Sequence, residues 1–208
     1  MPGSDITGSS PSLDAVRKRI AHRMGQAIVE WRLIEEGDRI LAACSGGKDS
    51  MALLHFLRYF QSRAPVRFSF VAVHIDQGHP GFPLERLRAH LEAEGFEHRI
   101  IRKDVYALVR ERVPAGETPC ALCSRYRRGI LYNAAAEMGC TKIALGHHAD
   151  DLAETVLLNL LRGTGIDGLV AMRPVSSWPV PRRSAAPHPP RLVRPLLGMW
   201  REQVRQYA

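Results

Sequence analysis

Nowhere in the 208 residues does an apolar run approach the roughly 20 that a membrane-spanning helix needs. The opening stretch, MPGSDITGSSPSL, is polar and lacks the apolar core of a secretory signal, so a cytoplasmic protein with no membrane partner is expected. Cysteine is scarce. Four residues in a cytosolic chain point to metal or redox chemistry more than to a disulfide framework. Acidic residues are in deficit, 21 against 29 Lys and Arg, for a formal net charge of +8. That balance suits a polyanionic partner, and equally serves solubility. Also missing is the Gly-Lys-Ser/Thr turn of the common P-loop, since Lys48 is followed by Asp49. Gly163 to Gly168 formally matches G-x-G-x-x-G, but it follows a helical pattern instead of a strand and reads as a helix C-cap and turn.

What is present is organised around ILAACSGGKDSMALLHFL, residues 40–57. An apolar run of strand length, Ile40 to Cys44, enters a Ser-Gly-Gly-Lys-Asp-Ser turn and leaves in a helix with apolar Met51, Leu53, Leu54, Phe56 and Leu57. A phosphate-sized anion fits such a turn. Gly46 and Gly47 let the backbone approach a ligand, the unpaired N–H groups of the new helix point at it, and Ser45, Lys48 and Ser50 add side-chain donors. Asp49 suits a divalent cation or a helix cap better than a bare anion. This loop resembles the pyrophosphate loop of ATP pyrophosphatases, which split ATP into AMP and pyrophosphate to activate a carbonyl oxygen.

Along the chain, residues 1–12 read as a disordered leader and 13–36 as an N-terminal helix with Val16, Ile20, Met24, Ala27, Ile28, Trp31 and Ile34 at helical spacing. The rest, 37–208, reads as one domain. Strands are expected at 40–44, 68–75, 98–101, 142–145 and 192–196, with helices between, and residues 174–191 form a Pro-rich surface loop. This alternation predicts an α/β fold with a doubly wound, mostly parallel five-stranded sheet. Ligands to such a sheet lie at the carboxyl ends of its strands. Adenine is therefore expected against His74 and Ile75, with the phosphates on Ser45 to Ser50.

Two further stretches carry chemistry. In GETPCALCSRYRRG, Thr118 suits a helix N-cap and Pro119 a first helical residue, which places Cys120 and Cys123 on one face of the first turns. The helix N-terminus and Arg125, Arg127 and Arg128 favour thiolates there, and Cys-x-x-Cys serves zinc half-sites, redox dithiols and iron-sulfur clusters alike. Cys44 and Cys140 read as buried small hydrophobes. In TKIALGHHADDLAETVLLNLLRGTG, a strand ends at Gly146, His147 and His148 before a helix opening at Asp150 and Asp151. The two carboxylates suit Mg²⁺ bridging ATP oxygens, or simple capping with Asp151 as N-cap and Glu154 completing a box. The two histidines suit orientation of a nucleotide or RNA.

Together SGGKDS, PCALCSRYRRGIL and LGHHADDLAETVLLNLLRG look like the tRNA 2-thiocytidine synthetase family of pyrophosphate-loop enzymes, from about Gln26 onward. The resemblance implies an adenine nucleotide alpha-hydrolase-like fold and ATP- and Mg²⁺-dependent sulfur insertion at C2 of an anticodon-loop cytidine. It also implies a [4Fe-4S] cluster on Cys120 and Cys123, and a homodimer. By position, Ser45, Gly46, Gly47, Lys48, Asp49 and Ser50 would grip ATP together with Gly146, and Asp49, Asp150 and Asp151 would place the magnesium. Arg125, Arg127, Arg128, Arg182 and Arg183 are the basic side chains expected to meet tRNA, and a cysteine desulfurase persulfide is the expected sulfur source. The family's third cluster cysteine comes from a segment beyond the last helix that these 208 residues do not include, so either a further C-terminal segment is expected to carry it or cluster binding is expected to be impaired. A lysidine synthetase, which attacks the same activated carbon with lysine, shares HHADDLAETVLLNLLRG but has no need of Cys-x-x-Cys. A related uridine thiolase and a catalytically silent RNA- or metal-binding module are each compatible with part of the same pattern.

Overall fold

Alternating side chains in the apolar runs decide how the layers form. In the strand at 39–43, Ile40 and Ala42 face one helical layer and Leu41 the other, and in the next strand Phe70 and Ala72 are set against Val71 and Val73 in the same way. The computed structural model describes residues 12–112, 120–170, 172–177 and 189–207. In chain order its elements are α1 (Leu13–Glu30), β1 (Arg39–Ala43), α2 (Lys48–Gln61), β2 (Ser69–Asp76), α3 (Leu84–Ala93), β3 (His98–Arg102) and α4 (Val105–Arg112). Then follow α5 (Cys120–Glu137), β4 (Lys142–Ala144), α6 (Ala149–Leu161), α7 (Gly165–Leu169), β5 (Val175–Ser177), β6 (Arg191–Val193) and α8 (Arg201–Tyr207).

The sheet has six strands in the order β3-β2-β1-β4-β6-β5, parallel except for β5. The expected five strands are all there. The sixth, β5, runs antiparallel to β6 with Val175 opposite Val193, inside the stretch read as Pro-rich loop. Three residues are too few to show a pattern of their own, and it is the edge of β6 that makes them a strand. The expected N-terminal helix is shorter than 13–36. It ends at Glu30, and Trp31, 47% exposed, lies beyond the buried face of Val16, Ile20, Met24 and Ile28.

From β1 the chain winds outward through β2 to β3, then returns to lay β4 and β6 on the other side. The winding direction therefore reverses between β1 and β4, and the crevice above that point is where an open α/β sheet takes ligands. Helices α1 and α2 cover one face, with Leu53, Leu54, Phe56 and Leu57 buried, and α8 closes over them through Val204 and Tyr207, whose ring lies 4.7 Å from that of Phe56. Helix α5 covers the opposite face with Leu131, Tyr132 and Ala135. Helix α6 buries none of its residues, and Leu157, Leu158, Leu160 and Leu161 are exposed. No helix among the described residues is long and apolar enough to cross a membrane.

Candidate active site

Strand β1 delivers the chain into a turn that its own side chains hold shut. Ser50 Oγ donates to the Gly47 carbonyl at 2.8 Å and accepts from the Ser45 N–H at 3.2 Å, while Ser45 Oγ accepts from the Gly47 N–H at 3.3 Å. Gly46 has φ +82°, and a Cβ there would stand 3.2 Å from the Phe82 ring. Gly47 caps α2 without any side-chain hydrogen bond, so the N–H groups of Lys48, Asp49 and Ser50 open the helix with no acceptor in the helix itself. Open N–H groups at a helix N-terminus are the arrangement that suits an anion. Lys48 Nζ is held by Asp49 at 2.8 and 2.9 Å, and both side chains keep about a third of their surface, 36% and 30%, in solvent.

The second wall comes from the end of β4. A Cβ on Gly146 would sit 3.1 Å from the Asp49 carbonyl oxygen and 3.3 Å from the Ser50 nitrogen, so the absence of a side chain is what lets the two loops touch. In the helix that follows, the expected capping by Asp151 and Glu154 is corrected. His148 is the N-cap of α6: its ring nitrogen Nδ1 accepts from the Asp151 N–H at 3.4 Å, and Asp151 Oδ2 accepts from the His148 N–H at 2.8 Å. Histidine does here what Asn or Asp does elsewhere, because Nδ1 reaches the same backbone donor. Glu154 instead pairs with Arg201 at 2.8 Å. His148 is buried and stands 3.9 Å from Asp49 Oδ2, which joins the two walls. Asp150 Oδ2 accepts from the Arg201 N–H at 2.6 Å, and that bond holds its carboxyl below the ordinary carboxylate range. Asp49, Asp150 and Asp151 thus converge around His148. Among the described residues, however, no three His, Cys, Asp or Glu side chains are gathered at metal-holding spacing.

The third wall is the end of β2. His74 is buried, with Nδ1 2.8 Å from the Cys44 carbonyl oxygen, and its ring stacks on Phe82 at 4.8 Å. Ile75 is buried beside it. Just beyond the strand, Gln77 Oε1 accepts from Cys123 Sγ at 3.1 Å. Helix α5 lies across the sheet from α2, yet it starts at the same rim as the loop. Arg125, Arg127 and Arg128 are exposed on it. Cys44 and Cys140 are buried as expected, and burial pushes both thiols up. The side chain of Cys120, and Thr118, Pro119, Arg182 and Arg183, lie outside the described residues.

Three side chains of this rim have no signature in the sequence. Phe82 carries no motif. Arg201 belongs to the last helix, and only the fold brings it to Asp150. Arg194 follows β6 and donates through Nε to His147 Nδ1 at 3.2 Å. Burial first, and then the Arg194 charge, hold His147 below the ordinary imidazole range. The one available signal was position, since a polar residue directly after a parallel strand lands on the ligand-binding edge.

A mostly parallel α/β sheet with an anion nest at its switch point defines a nucleotide-binding class of protein. Residues 16–208 match the sequence model of the PP-loop domain, and the chain belongs to that family. It is 50% identical over 158 residues to the tRNA-cytidine(32) 2-sulfurtransferase of Erwinia tasmaniensis, across 76% of this chain and 51% of the relative. It is 56% identical over 146 residues to the protein of the same name from an Anaeromyxobacter strain, across 70% and 48%. The chain thus spans about half the length of these curated relatives. In three dimensions it is similar to the U34-tRNA thiolase NcsA of Methanococcus maripaludis, solved with its [4Fe-4S] cluster. The TM-score is 0.74 at 22% identity, over 100% of this chain and 68% of that one. The NH3-dependent NAD synthetase of Campylobacter jejuni shares the fold at TM-score 0.54 and 14% identity, over 96% and 73%.

Proposed function

We propose that this chain forms the nucleotide-activating part of a tRNA sulfurtransferase that makes 2-thiocytidine at the expense of ATP. The observation that carries the reading is a shared rim: the anion nest of Ser45 to Ser50 and the thiol of Cys123 stand at the carboxyl ends of neighbouring strands, β1 and β2. Relatives of this name at about half identity support it as well.

In the first half-reaction the C2 oxygen of cytidine attacks the α-phosphorus of ATP, an O–P bond forms, and the bond to pyrophosphate breaks. The leaving pyrophosphate gathers negative charge, which the open N–H groups of Lys48, Asp49 and Ser50 meet without reorganisation. Lys48 Nζ exchanges its Asp49 partner for a phosphate oxygen. His74 and Ile75 border the base of the nucleotide, and Gly146 keeps the loop in place. In the second half-reaction sulfur at the sulfide level forms a bond to C2, and the C2–O bond breaks to release AMP carrying the former base oxygen.

A magnesium ion arriving with the nucleotide would be met by Asp49, Asp150 and Asp151, and phosphate oxygens normally complete so sparse a protein shell. The donor chemistry also fits an iron-sulfur cluster in part. Cys44 and Cys140 are buried with raised thiols, whereas Cys123 is only half-buried and faces the polar Gln77. Cys120 and Cys123 would hold the cluster, which when bound supplies iron able to carry sulfide. Arg125, Arg127 and Arg128, with Arg182 and Arg183, would meet tRNA phosphates. A cysteine desulfurase persulfide would supply the sulfur, its outer atom brought to the sulfide level by two electrons from a thiol reductant. A homodimer in the cytoplasm completes the reading, and the exposed leucines of α6 favour a second copy of the chain.

The test is incubation of the anaerobically purified protein with tRNA, ATP and a sulfide source, followed by nucleoside mass spectrometry. The expected product is 2-thiocytidine. Appearance of lysidine with labelled lysine, or no pyrophosphate release at all, overturns the reading.

A further inference from the structure

We infer that Arg194 is the anchor of a second phosphate-binding site, at the end of the rim away from the Ser45 to Ser50 loop. That a phosphate binds here rests on geometry; which substrate brings it rests on the proposed function. Arg194 directly follows β6 and its side chain is half-buried, so its charge is partly stripped of water. Buried guanidinium groups are ordinarily paired with carboxylates. Among the described residues this one has three neutral acceptors instead. Nη1 donates to the Arg173 carbonyl at 2.7 Å and to Ser176 Oγ at 2.8 Å, and Nε donates to His147 Nδ1 at 3.2 Å. Among the described residues no carboxylate forms an ion pair with it, and burial alone lowers its affinity for its proton.

The neighbours are donors too. A guanidinium cannot accept a hydrogen bond, so His147 Nδ1 must, and the proton of the neutral ring sits on Nε2. His147 also feels the charge of Arg127, which is exposed on α5 and forms no salt bridge among the described residues. The carboxylate that His147 feels is Asp151, already committed through Oδ2 to the His148 N–H. With Nε and both hydrogens of Nη1 committed to neutral acceptors, the fork keeps the two N–H groups of Nη2, and with an N–H imidazole and a second arginine beside them that is chemistry for a phosphate oxygen. Arg194 is also too far along the sheet to be another part of the loop: β4 stands between β1 and β6. The phosphate comes either from the tRNA backbone beside the target base or from the nucleotide.

Binding of tRNA without ATP, followed by fluorescence anisotropy across a salt series, and binding of ATP without RNA, followed by calorimetry, separate the two sources. Arg194→Gln is expected to weaken one of them about tenfold, and Arg194→Lys to recover part of the loss by restoring charge without the fork. If the RNA supplies the phosphate, the slope of log affinity against log salt also falls by about one. No change in either arm, with an unaltered circular dichroism spectrum, overturns the proposal. Should the variant not fold, modification of Arg194 by phenylglyoxal in the wild-type protein, mapped by mass spectrometry, decides instead. Slowing by inorganic phosphate supports the site, and an unchanged rate overturns it. A wild-type protein that binds no tRNA would overturn the proposed function, while the ATP and phenylglyoxal measurements would still decide Arg194.

Discussion

Two lysines stand at opposite ends of the central strands, each beside aspartate, and their surroundings make them different objects. At the amino end, Lys142 is 2% exposed and its ammonium spends itself on Asp38 at 2.7 Å, Glu35 at 3.0 Å and the Arg32 carbonyl at 3.2 Å. Asp38 in turn accepts from Thr141 at 2.6 Å and from the Glu35 N–H at 2.7 Å. Every donor there has its acceptor, and the cluster ties β1, β4 and the turn after α1 together. At the carboxyl end, Lys48 rests on its own neighbour Asp49, with open N–H groups beside it and solvent around it. A closed polar network is a fastening, whereas an open one is a receptacle, although both use the same residue types.

Breaking the fastening should have the larger effect on the fold. Lys142→Met leaves Asp38 and Glu35 facing each other without their ammonium, and loss of one partner from a buried pair costs about 3–5 kcal/mol. Denaturation by guanidinium chloride should show it as a lower midpoint. Lys48→Ala should do the reverse. An exposed pair contributes about 1 kcal/mol or less, so the unfolding midpoint barely moves, while ATP-dependent pyrophosphate release falls by about 100-fold or more, as when one preorganised donor is removed. Comparable stability losses in both variants would erase the distinction.

Gly146→Ala probes whether the open end depends on close backbone contact. The added methyl would lie 3.1 Å from the Asp49 carbonyl oxygen and 3.2 Å from its carbon, atoms that cannot swing aside as a side chain would. Overpacking of this kind costs about 1–3 kcal/mol, and here the displaced group is the first turn of α2. The expected outcome is a modest loss of stability with a larger loss of ATP affinity, measured by calorimetry. Unchanged affinity would mean that the loop keeps its shape without this contact.

The open end was far more legible in the sequence than the closed one, for a physical reason. Gly46, Gly47 and Lys48 act through neighbours in the chain, so strand, turn and helix start could be read from 18 consecutive residues. The buried network joins Glu35 and Asp38 to Thr141 and Lys142, more than a hundred positions away, and only strand pairing brings them together. The same limit hid Arg194 and Arg201, whose partners His147 and Asp150 lie 47 and 51 residues back. Strand β5 was hidden by its shortness and by the prolines around it. The cap of α6 escapes the sequence because Asp151 and Glu154 satisfy the usual pattern, while His148, a rarer cap, takes the Asp151 amide and starts the helix three residues earlier.

Acid should loosen the two ends at different pH. His147, near the carboxyl end, titrates below its ordinary 6.5 because it is buried beside Arg194, and His55 on α2 is lowered by burial as well. Between the ordinary value and the folded one the unfolded chain binds more protons, so this part of the stability is complete above about pH 6.5 and is lost as pH falls below it. Glu35, at the amino end, is held below its ordinary 4.5 by Lys142, and its contribution persists until the pH drops through the lower range. The two ends of β4 report on this directly. The Leu145 N–H bonds to the Val193 carbonyl beside His147, and the Thr141 N–H bonds to the Arg39 carbonyl beside the lysine cluster. Hydrogen exchange, corrected for the intrinsic pH dependence, should show Leu145 losing protection as the pH falls below about 6.5 while Thr141 keeps its own. Replacing His147 by Gln should remove that difference, because glutamine has no proton to take up over this range, and equal loss at both amides would mean that the strand opens as one unit.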